Sequence, residues 1–291
     1  MYNLEQLRMF VETVDQGSFS ACARQLGKAQ SAVSQGIANL EIDLNTQLFD
    51  RSTRKPGLTD SGQRLLSHAR AVLQQSYEFQ ATAAAIQRQE ESSITLLVDD
   101  SLFAPQLSKL LLDFAEQFPA TRMQVNSVSA MDIGELLVNQ QGDIGLGFVD
   151  LDFNFQLDLC FIGNLPFLPV CHHQLDLAKC EEIHPQHLTS HRQILFSGQS
   201  SRSNPHVPQI SAKAWSCNSF YNGLALIRQG LGWSYLPQHL VQADIDSGEL
   251  VALNFAFDYK TWAPAIDILT PKNQVRGPAL SWLYQQLKDV F

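Results

Sequence analysis

Over the first ninety residues the apolar positions recur at intervals of three and four. Leu4, Leu7, Phe10, Val11 and Val14 share one side of a helix, and Gly17 ends it. Ser18 is a good N-cap for a second short helix over 19–26. Gly27-Lys28 makes a tight turn. A third helix is predicted from about Gln30 to Leu44, with Val33, Ile37, Leu40 and Leu44 on one face. Two short apolar segments, Leu48-Phe49 and Leu58-Thr59, then flank DRSTRKPG, which predicts two short strands joined by a basic Pro-Gly turn.

Thr59 can cap a long helix from Asp60 to about Gln89. Its apolar and small positions are Leu65, Leu66, Ala69, Val72, Leu73, Ser76, Phe79, Ala83 and Ile86. These spacings form a continuous stripe over four turns or more. No neighbouring segment offers a partner, so the stripe is expected to pack on a second copy of itself. An ordinary surface helix of the following domain is the alternative.

From Ile94 short apolar runs alternate with helical stretches. Strands are expected at 94–98, 123–127, 144–148, 168–170, 194–196, 233–236 and 266–270, and helices at 104–118, 133–139, 219–229 and 279–290. This alternation predicts an α/β architecture with mostly parallel sheets.

Composition narrows the class. At 291 residues the chain has room for about two domains. With 45% hydrophobic and 17% charged residues it can fill folded cores, which excludes a mainly disordered chain. The least charged long stretch, 159–175, carries two Pro, a Gly, an Asn and two His, so it is no transmembrane helix. The N-terminus has Glu5 and Arg8 where a secretory signal is basic and then apolar. A cytoplasmic protein is expected, and five irregularly spaced Cys suit a reducing compartment.

The net charge of −9 argues against a nucleic-acid partner until it is divided by domain. Residues 1–90 hold nine Lys/Arg and nine Asp/Glu, so the whole excess lies beyond them. The third helix sharpens the point. Opposite its apolar face stand Gln30, Ser31, Ser34, Gln35 and Ala38, short or hydrogen-bonding and uncharged. A helix in a major groove needs such side chains: Gln bonds adenine with two hydrogen bonds, and Ser bonds bases or phosphate. A merely polar face is the bland alternative. A short helix, a tight turn and a second helix form a helix-turn-helix. Arg51, Arg54 and Lys55 on the hairpin read as phosphate or minor-groove contacts, or else as a solvated turn.

Residues 1–65 resemble the winged helix-turn-helix of the LysR-type transcriptional regulators. The matching segments are LEQLRMFVETVDQGSFSACARQL, AQSAVSQGIANLE, QLFDR and LTDSG. Phe118-Pro119, GDIGLGF at 142–148 and QGLGWSYLP at 229–237 resemble that family's effector domain, so the likeness covers nearly the whole chain. It implies a winged helix-turn-helix over 1–59, a dimerising linker helix over 60–90 and a two-lobed effector domain over 91–291 resembling periplasmic binding proteins. Lobe 1 is expected at about 91–161 and 267–291, and lobe 2 at about 162–266. By position, Gln30, Ser31, Ser34 and Gln35 would face the major groove, with Ser18 beside them and Arg51, Arg54 and Lys55 on the wing. Ser31 stands where the family often has Pro. Gln35 and Gly36 stand where a basic and a longer polar residue are common. Gly36 also costs the helix about 1 kcal/mol relative to Ala.

For a small-molecule effector the useful places are the carboxyl ends of strands and the helix N-termini that follow. Asp99, Asp100 and Ser101 lie at the first such junction, and Ser129, Phe148, Ser197 and Asn218 at others. Two carboxylates at a helix N-terminus can equally cap it. If they face the cleft, they disfavour an anionic effector.

Cys160, Cys171, His172, His173, Cys180, His184 and His187 are dense, but no Cys-x-x-Cys pair gives a zinc spacing, and no metal or cofactor is expected. Peroxide-sensing relatives use a cysteine after the strand matching 194–196; here SGQSSRSNP has none. A thiol- or redox-switched regulator of the same fold is the alternative. No Gly-x-Ser-x-Gly elbow, phosphate loop or His-Glu-x-x-His is present, so no catalytic residue is expected and the protein is read as no enzyme. The expected partners are double-stranded promoter DNA, a small-molecule effector, further copies of the chain as homodimer or homotetramer, and RNA polymerase, with no membrane.

Overall fold

The computed structural model describes residues 1–50, 57–148, 156–198, 209–258 and 260–291. The chain divides into two compact units, Met1–Gln87 and Arg88–Phe291.

The first unit holds α1 (Leu4–Gln16), α2 (Phe19–Leu26), α3 (Gln30–Asp43), β1 (Phe49–Asp50), β2 (Gly57–Leu58) and α4 (Asp60–Gln87). Local chemistry sets each boundary. The Asn3 side chain accepts from the Gln6 N–H at 2.9 Å and the Gln6 side chain accepts from the Asn3 N–H at 2.8 Å, a reciprocal cap on α1. Gly17 ends α1 with a left-handed φ of 71°, where a side chain would be strained. The Ser18 hydroxyl accepts from the Ala21 N–H at 3.2 Å, and Gly27 ends α2 the same way. Leu7, Phe10, Cys22, Val33, Ile37, Leu40, Leu48 and Phe49 form the core. Phe10 meets Phe49 edge-on at 5.7 Å, which ties the first helix to the base of the hairpin. The strands pair antiparallel, with Phe49 opposite Leu58.

The Thr59 hydroxyl accepts from the Gly62 N–H at 2.9 Å and starts α4. The helix ends at Gln87, short of the expected Gln89, which takes a left-handed φ of 55°. The stripe on α4 also divides differently from the expectation. Leu66 and Ala69 are buried in the unit's own core, with Leu65 and Leu73 packed against it, because α4 lies along α1. The expectation that no neighbouring segment could cover the stripe is therefore corrected for its first half. Its second half is open: Val72, Phe79 and Ile86 are 43%, 76% and 71% exposed.

The second unit begins with β3 (Ser93–Asp99), a single 3-10 turn (Asp100–Leu102), α5 (Pro105–Gln117), β4 (Arg122–Val128), α6 (Ala130–Val138) and β5 (Ile144–Phe148). It continues with β6 (Leu157–Asn164), β7 (Phe167–His172), a second 3-10 turn (Asp176–Lys179), α7 (Pro185–Thr189), β8 (Gln193–Phe196), β9 (Ala214–Cys217) and α8 (Phe220–Arg228). β10 (Trp233–Pro237), α9 (Gln238–Ser247), β11 (Leu250–Ala252), β12 (Ala265–Pro271) and α10 (Pro278–Leu287) complete it.

Two five-stranded sheets result, ordered β4-β3-β5-β12-β6 and β11-β7-β10-β8-β9. Each is the floor of one lobe. The sheets are mixed where mostly parallel ones were expected. β3 runs parallel to β4 and β5, and β8 to β9 and β10. β12 is antiparallel to β5 and β6, and β7 to β10 and β11. The reason is topological: the chain leaves the first sheet after β6 and returns to it as β12, running the opposite way. The two crossings are paired, with the Leu165 N–H donating to the Pro264 carbonyl at 3.1 Å and the Phe167 N–H to the Trp262 carbonyl at 2.8 Å.

Candidate functional site

Val33, Ile37 and Leu40 are fully buried, so the opposite face of α3 is fixed outward. Gln30, Ser31, Gln35 and Asn39 are exposed there, and Ser34 is half-buried. That face carries donors and acceptors and no charge. The Gln35 amide donates to the Asn39 side chain at 2.8 Å, one turn on. Gly36 lies at the α1–α3 contact: a Cβ there would meet the sulfur of Met9. The residue that costs the isolated helix stability is thus explained by close helix packing. The Ser18 hydroxyl oxygen accepts in the cap of α2. Arg51, Arg54 and Lys55 lie outside the described residues. What the structure does give is the anchor of their hairpin. The Glu41 carboxylate, on α3, accepts from the backbone N–H of Leu48 at 2.7 Å and of Phe49 at 3.1 Å. Sequence reading did not single out Glu41, because its partners are seven and eight residues on and it looks like an ordinary solvated position.

In the second unit, Asp99 ends β3 and is 4% exposed. Its carboxylate accepts from the Ser101 N–H at 3.0 Å, from the Ser101 hydroxyl, and from the Ala130 N–H at 2.7 Å. It caps the 3-10 turn and also α6, whose own N-cap, Ser129, makes no side-chain cap bond. Burial pushes the Asp99 carboxyl up to about 6 against this donor set. Asp99 and Ser101 are therefore taken up by one another, as the capping reading expected.

Asp100 does something different. Its Oδ2 accepts from the Phe220 N–H at 2.8 Å, at the first residue of α8, in the other lobe. The Ser219 side chain hydrogen-bonds the same carboxyl group, and burial raises its pKa. Phe148, from the first sheet, meets Phe167 of the second edge-on at 5.8 Å. Phe167 touches Phe220 at 5.7 Å and Trp262 at 4.6 Å, and Phe220 lies over Phe196 at 4.0 Å. Ser197 and Asn218 follow the adjacent parallel strands β8 and β9; the Ser197 N–H donates to the Cys217 carbonyl at 3.0 Å. Ser197 is half-buried and Asn218 exposed. Of the junction residues, Asp100 and Phe148 thus make contact from the first sheet's side to the second. The aromatic seam through Phe167, Phe196, Phe220 and Trp262 was not foreseen, since its members come from distant segments.

Among the described residues no group of three or more His, Cys, Asp or Glu side chains is placed to hold a metal ion, and no helix is long and apolar enough to cross a membrane. Burial raises the pKa of the Cys22 and Cys217 thiols and pushes that of Cys171 up to about 12.

Comparison with known proteins agrees over both units. Residues 4–63 match the model of the bacterial regulatory helix-turn-helix protein, lysR family, and residues 87–291 match the LysR substrate binding domain. The chain is 27% identical to the HTH-type transcriptional regulator AceR of Acinetobacter baumannii, over 99% of this chain and 97% of that one. It is 25% identical to the multiple virulence factor regulator MvfR of Pseudomonas aeruginosa, over 89% and 77% of the two chains. In structure it is similar to CrgA, a LysR-type transcriptional regulator from Neisseria meningitidis, with a TM-score of 0.53 at 22% identity over 99% and 98% of the chains. A full-length OxyR variant from Pseudomonas aeruginosa gives a TM-score of 0.54 at 18% identity, over 100% and 99%.

Proposed function

Because the chain belongs to the LysR family of transcriptional regulators, a DNA-binding helix-turn-helix protein with an effector-binding domain, we propose that α3 reads its operator through Gln30, Ser31, Ser34 and Gln35. The observation that carries this reading is the uncharged, hydrogen-bonding outer face of α3 set over a fully buried inner one. Such a face can approach base edges without desolvating a charge. Ser18 and the wing cations Arg51, Arg54 and Lys55 supply contacts to phosphate. Residues 1–59 bind DNA, 60–90 join two copies, and 91–291 bind the effector. The protein works in the cytoplasm, touches RNA polymerase at the promoter and catalyses no reaction.

Assembly follows from the open half of α4. Val72, Phe79 and Ile86 recur at intervals of seven, the spacing of a two-helix seam. Beside them, α1 and α4 enclose a groove of about 530 Å³ lined by Val11, Leu73 and Tyr77 and edged by Arg8, Glu12, Asp15 and Arg70. A second copy's α4 is the natural occupant. The effector lies among Ser129, Phe148, Ser197 and Asn218; Asp99 and Asp100 are both engaged as caps, so they set no preference for the charge of that molecule. A redox switch of the peroxide-sensing kind is disfavoured by the segment after β8, SGQSSRSNP, which contains no cysteine. The test is selection of bound genomic fragments by the full-length protein, followed by footprinting. A protected site with two half-sites that Gln30→Ala loses supports the reading. Indifferent binding to all fragments overturns it.

A further inference from the structure

The first carboxylate of the acidic pair serves its own lobe; the second does not. Asp100 follows β3 of the first sheet, yet it receives the first N–H of α8, 120 residues on, which follows β9 of the second sheet. α8 has no cap of its own, since the Ser219 side chain accepts no N–H of the helix. Instead Ser219 turns to the Asp100 carboxyl. The cationic end of the α8 dipole is thus filled by a negative group from the opposite lobe. Next to this bond the Phe148–Phe167 contact, also from first sheet to second, keeps the junction apolar. A charge-assisted hydrogen bond in such surroundings is stronger than one in water.

We propose that Asp100 is a latch between the lobes, an internal carboxylate that holds the second unit closed. The latch stands apart from the reading of the cleft as an effector site and has one consequence. A carboxylate from solution can reach the α8 N-terminus only by displacing Asp100, which is already tethered there at high effective concentration.

The experiment is hydrogen exchange of the full-length protein, read on peptides spanning 219–224, with small-angle scattering on the same samples. Asp100→Ala and Asp100→Ser both remove the reach of the carboxylate; the serine retains a polar start for the 3-10 turn and guards against a folding failure of the alanine. In either folded variant, exchange at the start of α8 should rise at least tenfold and the scattering profile should broaden. Exchange in β3 over 94–98 should be unchanged. Formate at tens of millimolar should restore protection to the variants and leave the native protein as it was. Native-like exchange over 219–224 in a folded variant would overturn the latch. So would an equal rise over 94–98, which would mean general loosening. Effector response plays no part in these readouts, so failure of the effector reading leaves them intact.

Discussion

Glu41 and Leu48 are joined by a 2.7 Å hydrogen bond from the Leu48 backbone N–H to the Glu41 carboxylate. The same oxygen takes the Phe49 N–H. One side chain of the recognition helix therefore fixes the angle at which the hairpin leaves it. Leu48 and Phe49 are themselves buried, so their amides have no ready replacement in water. Glu41→Ala should cost about 1–3 kcal/mol through unsatisfied amides, measured by chemical denaturation. It should also weaken binding to specific and random DNA alike, because the segment that follows α3 loses its anchor on that helix. A variant as stable as the native chain would show that the amides find other partners.

Base reading and phosphate binding should separate. Gln30→Ala and Ser34→Ala should each weaken specific binding by about 1–3 kcal/mol and leave non-specific affinity nearly unchanged. Arg54→Ala should weaken binding to every sequence and reduce the salt slope by about one phosphate's worth. Fluorescence anisotropy at several salt concentrations measures both. If Gln30→Ala loses equally on operator and random DNA, that side chain does not read a base.

The two halves of the α4 stripe should respond differently to charge. Phe79→Glu places a carboxylate in the exposed half and should yield a folded monomer by light scattering, with operator binding lost because one recognition helix cannot span two half-sites. Leu73→Glu strikes a side chain that packs on the core of its own unit and should lower the melting temperature of that unit as well. A native-size assembly in Phe79→Glu would place the interface elsewhere.

Asp99 should leave a pH signature. Its carboxyl is raised from 3.8 to about 6 by burial, so between those values the folded state binds more protons than the unfolded state. Its contribution therefore favours folding at acid pH and is lost as pH rises through about 6. The stability of the native protein minus that of Asp99→Asn should fall by about 2 kcal/mol between pH 4 and 7. A flat difference would mean that the Ser101 and Ala130 donors fully offset burial.

What the sequence discloses here is what its chemistry does locally. Gly17, Ser18 and Gly27 punctuate α1 and α2 with groups three or four residues away, and the helix-turn-helix is legible from them. The same holds for the capping reading of Asp99, which is satisfied by Ser101. Distance defeats the rest. Asp100 looks like its neighbour, but its partner is 120 residues on. β12 looks like any α/β strand, but its direction depends on a crossing that no local pattern encodes. The first half of the α4 stripe is covered by α1, which precedes it by some fifty residues; heptad spacing alone could not separate a seam within one chain from a seam between two.

The contact between Gly36 and Met9 limits how this regulator can acquire a new operator. A longer side chain at position 36 would bring a further donor or acceptor to the middle of α3, but its Cβ would meet the sulfur of Met9, a buried residue of α1, which would have to shift. A change at that position is therefore coupled to the packing of α3 on α1. Gln30, Ser31, Gln35 and Asn39 carry no such debt, and one codon at a time is enough to explore their alternatives. What position 36 accepts is therefore set by a helix–helix contact on the hidden side of α3 as well as by what its outer face meets.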